Sequence, residues 1–240
     1  HLYGFQNAKK NFSTGDWLKL ANQKILQCRK IKKTPILVGG TGLYFKALTE
    51  GLVNIPKIPI NFRNKVRNLQ KRIGQKKFFQ KLLKIDPLIK GKINSLDTQR
   101  SIRAYEIKSF TKKSMISWFK NTKSDYSHND FFKICIDFPR KDLIERINKR
   151  SENMVKSGAI LEVKRFIKLR VPKNKSLSKA IGISEIKQYL QKKIQTEQLI
   201  DKISIKTRQY AKRQSTWARG HMKDWNKINP AGLDKLLKKI

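Results

Sequence analysis

Residues 34–48 read Thr-Pro-Ile-Leu-Val-Gly-Gly-Thr-Gly-Leu-Tyr-Phe-Lys-Ala-Leu. Ile36, Leu37 and Val38 form a short β-rich apolar run after Pro35, the pattern of a buried parallel strand. Gly39, Gly40 and Gly42 break that run, and Leu43, Tyr44, Phe45, Ala47 and Leu48 carry the chain into a helix. A strand, a glycine turn and a helix in this order place backbone N–H groups at the carboxyl edge of a sheet, where open α/β folds bind ligands. Gly39 and Gly40 carry no Cβ, so another backbone or a ring can approach them closely. Thr41 supplies the hydroxyl at the tip. Taken alone, the glycines are equally consistent with an ordinary tight βα turn.

Working outward, the 240 residues are 38% hydrophobic, enough for one core and a small second lobe. No apolar run approaches the roughly 20 residues of a membrane span, and the opening His1-Leu2-Tyr3-Gly4 has no signal-peptide pattern. Cys28 and Cys135 are far apart in sequence and read as reduced thiols of a cytoplasmic protein. The charge is the dominant global signal: 56 Lys+Arg against 17 Asp+Glu, a net +39. So basic a surface favours nucleic acid over an anionic membrane. Lysine greatly outnumbers arginine, and Asn and Ile are common, as an AT-rich genome would produce, so part of the charge is compositional.

Ser13 or Thr14 caps a helix that runs to about Arg29, with Trp17, Leu20, Ala21, Ile25 and Cys28 on one face. Pro56 and Pro59 mark a lobe boundary. The reading is a core of residues 1–56 and 126–240 with a basic, all-helical insertion over 57–125. In that insertion Phe62, Val66 and Leu69 make one apolar stripe, and Phe78, Phe79, Leu82 and Leu83 another. Ser95 or Asp97 caps a helix on which Gln99, Arg103 and Glu106 share a face. Lys133 to Phe138 reads as a second buried strand, and Pro139 opens the helix after it. Gly158 ends that helix, Ala180-Ile181-Gly182 leads another, and a long helix spans about Thr196 to Gly220. Ile200, Ile203, Thr207, Tyr210, Gln214 and Trp217 form its packing stripe, with Arg208, Lys212, Ser215 and Arg219 as a basic stripe beside it. Trp225 to Ile228 makes a short terminal strand.

Lysine is the background cation in this chain, so arginine carries more information. Arginines group as Arg100/Arg103, Arg140/Arg146/Arg150 and Arg208/Arg213/Arg219, and a guanidinium fork grips phosphate oxygens bidentately where lysine is a point charge. Solvated helix faces are the plainer reading of any single one. Gln99 beside Arg100 suits base recognition, because an amide can meet two atoms of an adenine edge and an arginine can stack or fork. His1, His128 and His221 are scattered, with no Cys/His spacing for zinc. No metal site and no complete P-loop is present in these residues.

Gly39-Gly40-Thr41-Gly42-Leu43-Tyr44, Asp97-Thr98-Gln99-Arg100, Phe138-Pro139-Arg140, Ala180-Ile181-Gly182 and the long run from Thr207 to Arg219 occur in the order found in bacterial tRNA dimethylallyltransferases (tRNA isopentenyltransferases). The chain resembles that family over essentially its whole length. The resemblance implies an α/β, P-loop-kinase-like parallel sheet flanked by helices, with the insertion binding tRNA. It implies transfer of a dimethylallyl group from dimethylallyl diphosphate to N6 of adenine 37, Mg²⁺ helping to neutralise the diphosphate, in a monomer. The adenine would be flipped into a passage on which the glycine turn and the C-terminal helix converge. On matching positions the tRNA anticodon stem-loop would meet Thr41, Arg63, Gln99, Arg100, Ser101, Ile102, Arg103, Arg208, Gln209, Lys212 and Arg213. Gly39, Gly40 and Lys179 would line the channel or hold diphosphate, Lys179 without the fork of the arginine found there in some members.

The family's P-loop and general-base aspartate fall upstream of the position matching His1. Asp16, Asp97 and Asp137 do not match that base, so no catalytic residue is assigned within the chain. The expectation is an active parent transferase of which these residues alone do not turn over. A non-catalytic, basic RNA-binding module of the same fold is the alternative. A P-loop kinase with a basic helical lid is a third reading, but it leaves Gln99-Arg100 and the Arg208–Arg219 run unexplained.

Overall fold

A computed structural model describes residues 1–238. In chain order its helices and strands are α1 (Thr14–Lys30), α2 (Gly42–Thr49), α3 (Ile60–Ile85), α4 (Thr98–Thr111), α5 (Met115–Phe119), β1 (Ile134–Ile136), α6 (Arg140–Met154), α7 (Ile160–Lys168), α8 (Ile183–Leu190), α9 (Thr196–His221), β2 (Asn226–Ile228) and α10 (Leu233–Leu237). The chain divides into two units, one holding His1–Ala47 and everything from His128 onward, the other Leu48–Ser127. The divisions lie at 47/48 and 127/128, where the sequence reading sets them at 56/57 and 125/126.

The first unit carries a small parallel sheet. β1 and β2 pair with Ile134 opposite Asn226, Cys135 opposite Lys227 and Ile136 opposite Ile228. β1 is a strand where the sequence reading places one, but it is half-buried rather than buried, and Ile136 is exposed. Lys133 and His128 both reach Asp224, each at 3.0 Å, and so tie the approach to β1 to the approach to β2. Pro139 stands just before α6, where its missing N–H costs nothing. Gly158, at φ +102°, turns the chain between α6 and α7 in a conformation that L side chains rarely adopt. The apolar core here gathers Val155, Val163, Phe166, Ile183, Ile186, Leu199 and Ile203 from α7, α8, α9 and the turn after α6.

The expected buried strand at Ile36–Val38 is absent. Ile36 is 78% and Val38 76% exposed, and the run is extended backbone outside the sheet. The Tyr3 hydroxyl donates to the Val38 carbonyl at 2.8 Å. A strand exists by hydrogen-bonding a neighbour, and among the described residues the sheet holds only β1 and β2. The β-branched run records propensity, and pairing is decided by what lies beside it.

The second unit is all helical. α3 is two helices merged across Gly74, whose φ of +75° breaks the regular backbone. Phe78 and Leu82 are fully buried, and Ile58, Ile89, Ile93, Ala104, Ile107 and Met115 complete the core around them. Asp97 caps α4, its carboxylate accepting from the Arg100 N–H at 2.9 Å. Gly51, at φ +93°, lies flat against the backbone of Lys123, which leaves no room for a Cβ.

Candidate functional site

The glycine turn and α9 meet. Gln214 Nε2 donates to the Gly40 carbonyl at 2.8 Å. A Cβ on Gly40 would collide with the same amide, and one on Gly42 would fall inside the Trp217 ring. Both glycines therefore do what their lack of a side chain permits: they let α9 press onto the turn. Gly39 has open space around its Cβ position, so it plays no such part.

An aromatic stack extends from this contact. Trp217 stacks on His221 at 4.3 Å between ring centroids, and the His221 Nδ1 lies 3.0 Å from the Trp217 carbonyl oxygen. On the other motif, Tyr44 of α2 stacks on Trp17 of α1 at 4.4 Å. Burial pushes the Tyr44 phenol up, with the neighbouring Tyr210 as a lesser cause. Tyr44 is thus a neutral hydroxyl at neutral pH. Arg213 lies over the Tyr210 ring at 5.6 Å. Two motifs about 170 residues apart in sequence are therefore built into one patch.

Around that patch, Thr41 is exposed at the tip of the turn. Gln209, Lys212 and Arg213 are exposed along α9. Arg208 is half-buried and reaches Asn148 of α6 at 3.5 Å. A surface so arranged offers hydroxyl, amide and cationic groups to a polyanion. Lys179 is exposed in a 3₁₀ turn at Leu177–Lys179, and among the described residues no hydrogen bond or ion pair joins it to the glycine turn. The turn it precedes is tightly fixed. Gly182, at φ +101°, starts α8, and the buried Glu185 carboxylate accepts from the Gly182 N–H at 2.9 Å, from Ser184 Oγ at 2.6 Å and from Lys206 Nζ of α9. Burial raises the Glu185 carboxyl, but the bonds from Lys206, Ser184 and the backbone outweigh it and hold it below its ordinary value.

In the helical unit the predicted residues separate by orientation. Gln99 is exposed with no hydrogen bond to its side chain among the described residues. Arg100 is exposed and pairs back to Asp97 at 3.0 Å. Ile102 and Arg103 are half-buried. Ser101 is turned inward: it is fully buried, its Oγ donates to the Asp97 carbonyl at 2.7 Å, and it accepts from Gln75 at 3.2 Å. Its side chain holds the start of α4 and is not offered to a ligand. Glu106, which the spacing puts on one face of α4 with Gln99 and Arg103, is 1% exposed. Arg63, Arg67 and Arg103 converge on it. Sequence reasoning names neither Glu106 nor Arg67 as a site residue. The available signal was that Glu106 is the single acidic residue of α4.

Among the described residues no group of three His, Cys, Asp or Glu side chains could hold a metal ion, and no helix is long and apolar enough to cross a membrane. A shallow hollow opens at the carboxyl ends of the two strands, lined by Asp137, Phe138, Pro139, Lys227, Ile228 and Asn229.

Comparison with known proteins gives consistent matches. The family model described as IPP transferase matches residues 1–221. The tRNA dimethylallyltransferase of Pelagibacter ubique is 55% identical over 240 residues, all of this chain and 77% of that protein. The tRNA dimethylallyltransferase of Rickettsia massiliae is 42% identical over 93% of this chain and 62% of its own length. Among solved structures, the tRNA isopentenylpyrophosphate transferase of Bacillus halodurans superposes with TM-score 0.60 at 31% identity, covering 95% of this chain and 71% of that one. A eukaryotic dimethylallyltransferase, described as acting on tRNA, matches in fold with TM-score 0.72 at 24% identity, over 87% of this chain and 53% of its own. The fold expected from the sequence motifs is thus the fold of these transferases.

Proposed function

This chain belongs to the IPP transferase family, and from that premise we propose that the protein transfers a dimethylallyl group from dimethylallyl diphosphate to N6 of adenine 37 of tRNA. The observation that carries the reading is the contact between the glycine turn and α9, through Gln214 on Gly40 and Trp217 on Gly42. That contact joins the two family motifs into a single patch with cationic and hydroxyl groups at its rim. A base extruded from an anticodon loop can be met there by Thr41, with Arg208, Gln209, Lys212 and Arg213 on the backbone around it. Gln99, Arg100, Ile102 and Arg103 take the remainder of the loop, and Arg63 a further phosphate.

In the reaction N6 of the adenine forms a bond to the allylic carbon, the carbon–oxygen bond to diphosphate breaks, and N6 loses a proton. No residue described here is assigned as the base for that proton. Lys179 supports diphosphate as a point charge, the arrangement expected where a fork is not available. Mg²⁺ is implied by the family resemblance alone, and the described residues assemble no cluster of His, Cys, Asp or Glu that would hold it.

The test is direct. The full protein is incubated with unmodified tRNA and labelled dimethylallyl diphosphate, and the nucleosides are analysed. Label on N6 of adenine 37 is the expected result. Tight, loop-specific binding with no transfer would replace the enzyme reading by that of an RNA-binding module.

A further inference from the structure

Glu106 draws three arginines, two of which, Arg63 and Arg103, donate to its Oε2, while its buried Oε1 accepts no hydrogen bond among the described residues. Arg63 Nε lies 3.2 Å from one carboxylate oxygen, Arg103 Nη1 3.4 Å from the same oxygen, and Arg67 Nε 3.7 Å from the other. The carboxylate is 1% exposed, while the side chains of Arg63, Arg67 and Arg103 are 36%, 44% and 39% exposed. Each arginine therefore turns part of its guanidinium toward Glu106 and leaves the rest at the surface. One buried carboxylate needs one cation for neutrality. Three arginines on one glutamate leave two positive charges over, and packing like charges together costs energy unless an anion answers them.

The layout is regular. Arg63 and Arg67 stand one turn apart on α3, and Arg103 stands one turn from Glu106 on α4. These sites also use arginine in a chain where lysine is the common cation. An arginine retains a rigid fork after one edge is occupied, which suits it to hold an anion from a fixed position.

We propose that Glu106 is a positioning residue for RNA: it sets Arg63, Arg67 and Arg103 into one fixed guanidinium array, Arg67 included, whose exposed edges take the phosphodiester backbone. The inference rests on the reading of the protein as one that binds tRNA. It carries a prediction opposite in sign to simple charge counting. Removing the Glu106 charge makes the protein more positive, so charge counting has RNA binding tighten. Positioning has it weaken, because the three arginines lose the anchor that aligns them.

The experiment measures binding of an unmodified tRNA anticodon stem-loop to the full protein by fluorescence anisotropy at several salt concentrations, well below the melting temperature. Glu106→Gln is expected to weaken binding by about fivefold or more, and to lower the salt slope by about one phosphate contact. Arg67→Lys, which keeps the charge and loses the fork, is expected to weaken it several-fold, while Lys84→Gln, on the part of α3 beyond Gly74, has a small effect. A folded Glu106→Gln protein that binds as tightly as the wild type, or more tightly, overturns the proposal and leaves Glu106 a clamp between α3 and α4. If that variant does not fold, Arg67→Lys decides, and unchanged affinity there overturns it. A wild-type protein that does not bind the stem-loop overturns the tRNA-binding reading itself, and this inference with it.

Discussion

At the scale of single residues, the three glycines of the turn are not equivalent. Gly42 sits against a rigid indole, Gly40 against a flexible amide, and Gly39 against nothing. Gly42→Ala should cost about 1–3 kcal/mol, because the Trp217 ring must move out of a stacked position. Gly40→Ala should cost less, since Gln214 can swing aside at the loss of one hydrogen bond. Gly39→Ala should leave the melting temperature unchanged. Thermal melts of the three variants check the order, and equal effects would dissociate the turn from α9. The motif Gly-Gly-Thr-Gly was legible as a place of close approach. Which glycine is approached, and by what, was not, because the approaching side chains lie far away in sequence.

Glu185 shows the same limit for charge. Its carboxyl is held below the ordinary range, so the stabilisation it supplies is complete above about pH 4.3 and is lost as pH falls through the depressed value. Glu185→Gln should therefore lower the melting temperature at pH 7 and narrow the gap between pH 7 and pH 3. Melts at the two pH values check the sign, and a gap as wide as in the wild type would mean that other carboxylates carry the acid lability.

At the scale of elements, helix boundaries were the most legible feature. Ser13 opens α1 by a reciprocal capping box, its hydroxyl accepting from the Asp16 N–H at 3.1 Å and its own N–H donating to the Asp16 carboxylate at 2.9 Å. Such caps are written in a few adjacent residues. Ser13→Ala should cost about 1 kcal/mol, measurable by denaturant titration, and a neutral result would show α1 to be held by Ala21 and Ile25 alone. Pro139 before α6, Asp97 before α4 and Gly158 after α6 were legible for the same reason. Strands were less so. Ile134–Ile136 pairs with β2, while Ile36–Val38, equally apolar, does not. The two runs differ in what lies beside them, and no local pattern reports that. Orientation within α4 also depended on the surroundings: one face was expected to hold Gln99, Arg103 and Glu106, yet Gln99 is exposed and Glu106 buried.

At the scale of the whole molecule, a net charge of +39 sets the character of binding. Affinity for tRNA should fall steeply with salt, log affinity declining in proportion to the number of phosphates neutralised. Bulk charge and specific contacts separate in competition: unrelated RNA should compete effectively at low salt and poorly near physiological salt. Anisotropy titrations with both competitors check this, and equal competition at all salt concentrations would mean that the charge alone accounts for binding.

Sequence by itself determined the helices, the caps and turns, the basic character, the family motifs and the reaction class they imply. All of these reside in neighbouring residues or in composition. Only the tertiary structure decided which arginines share the buried Glu106, that Ser101 faces inward, that Trp217 covers Gly42, and that Ile36–Val38 has no strand beside it among the described residues. Each of these turns on which segments distant along the chain come to lie side by side. Such contacts are fixed by packing and pairing, which local sequence constrains only through the elements it brings to them.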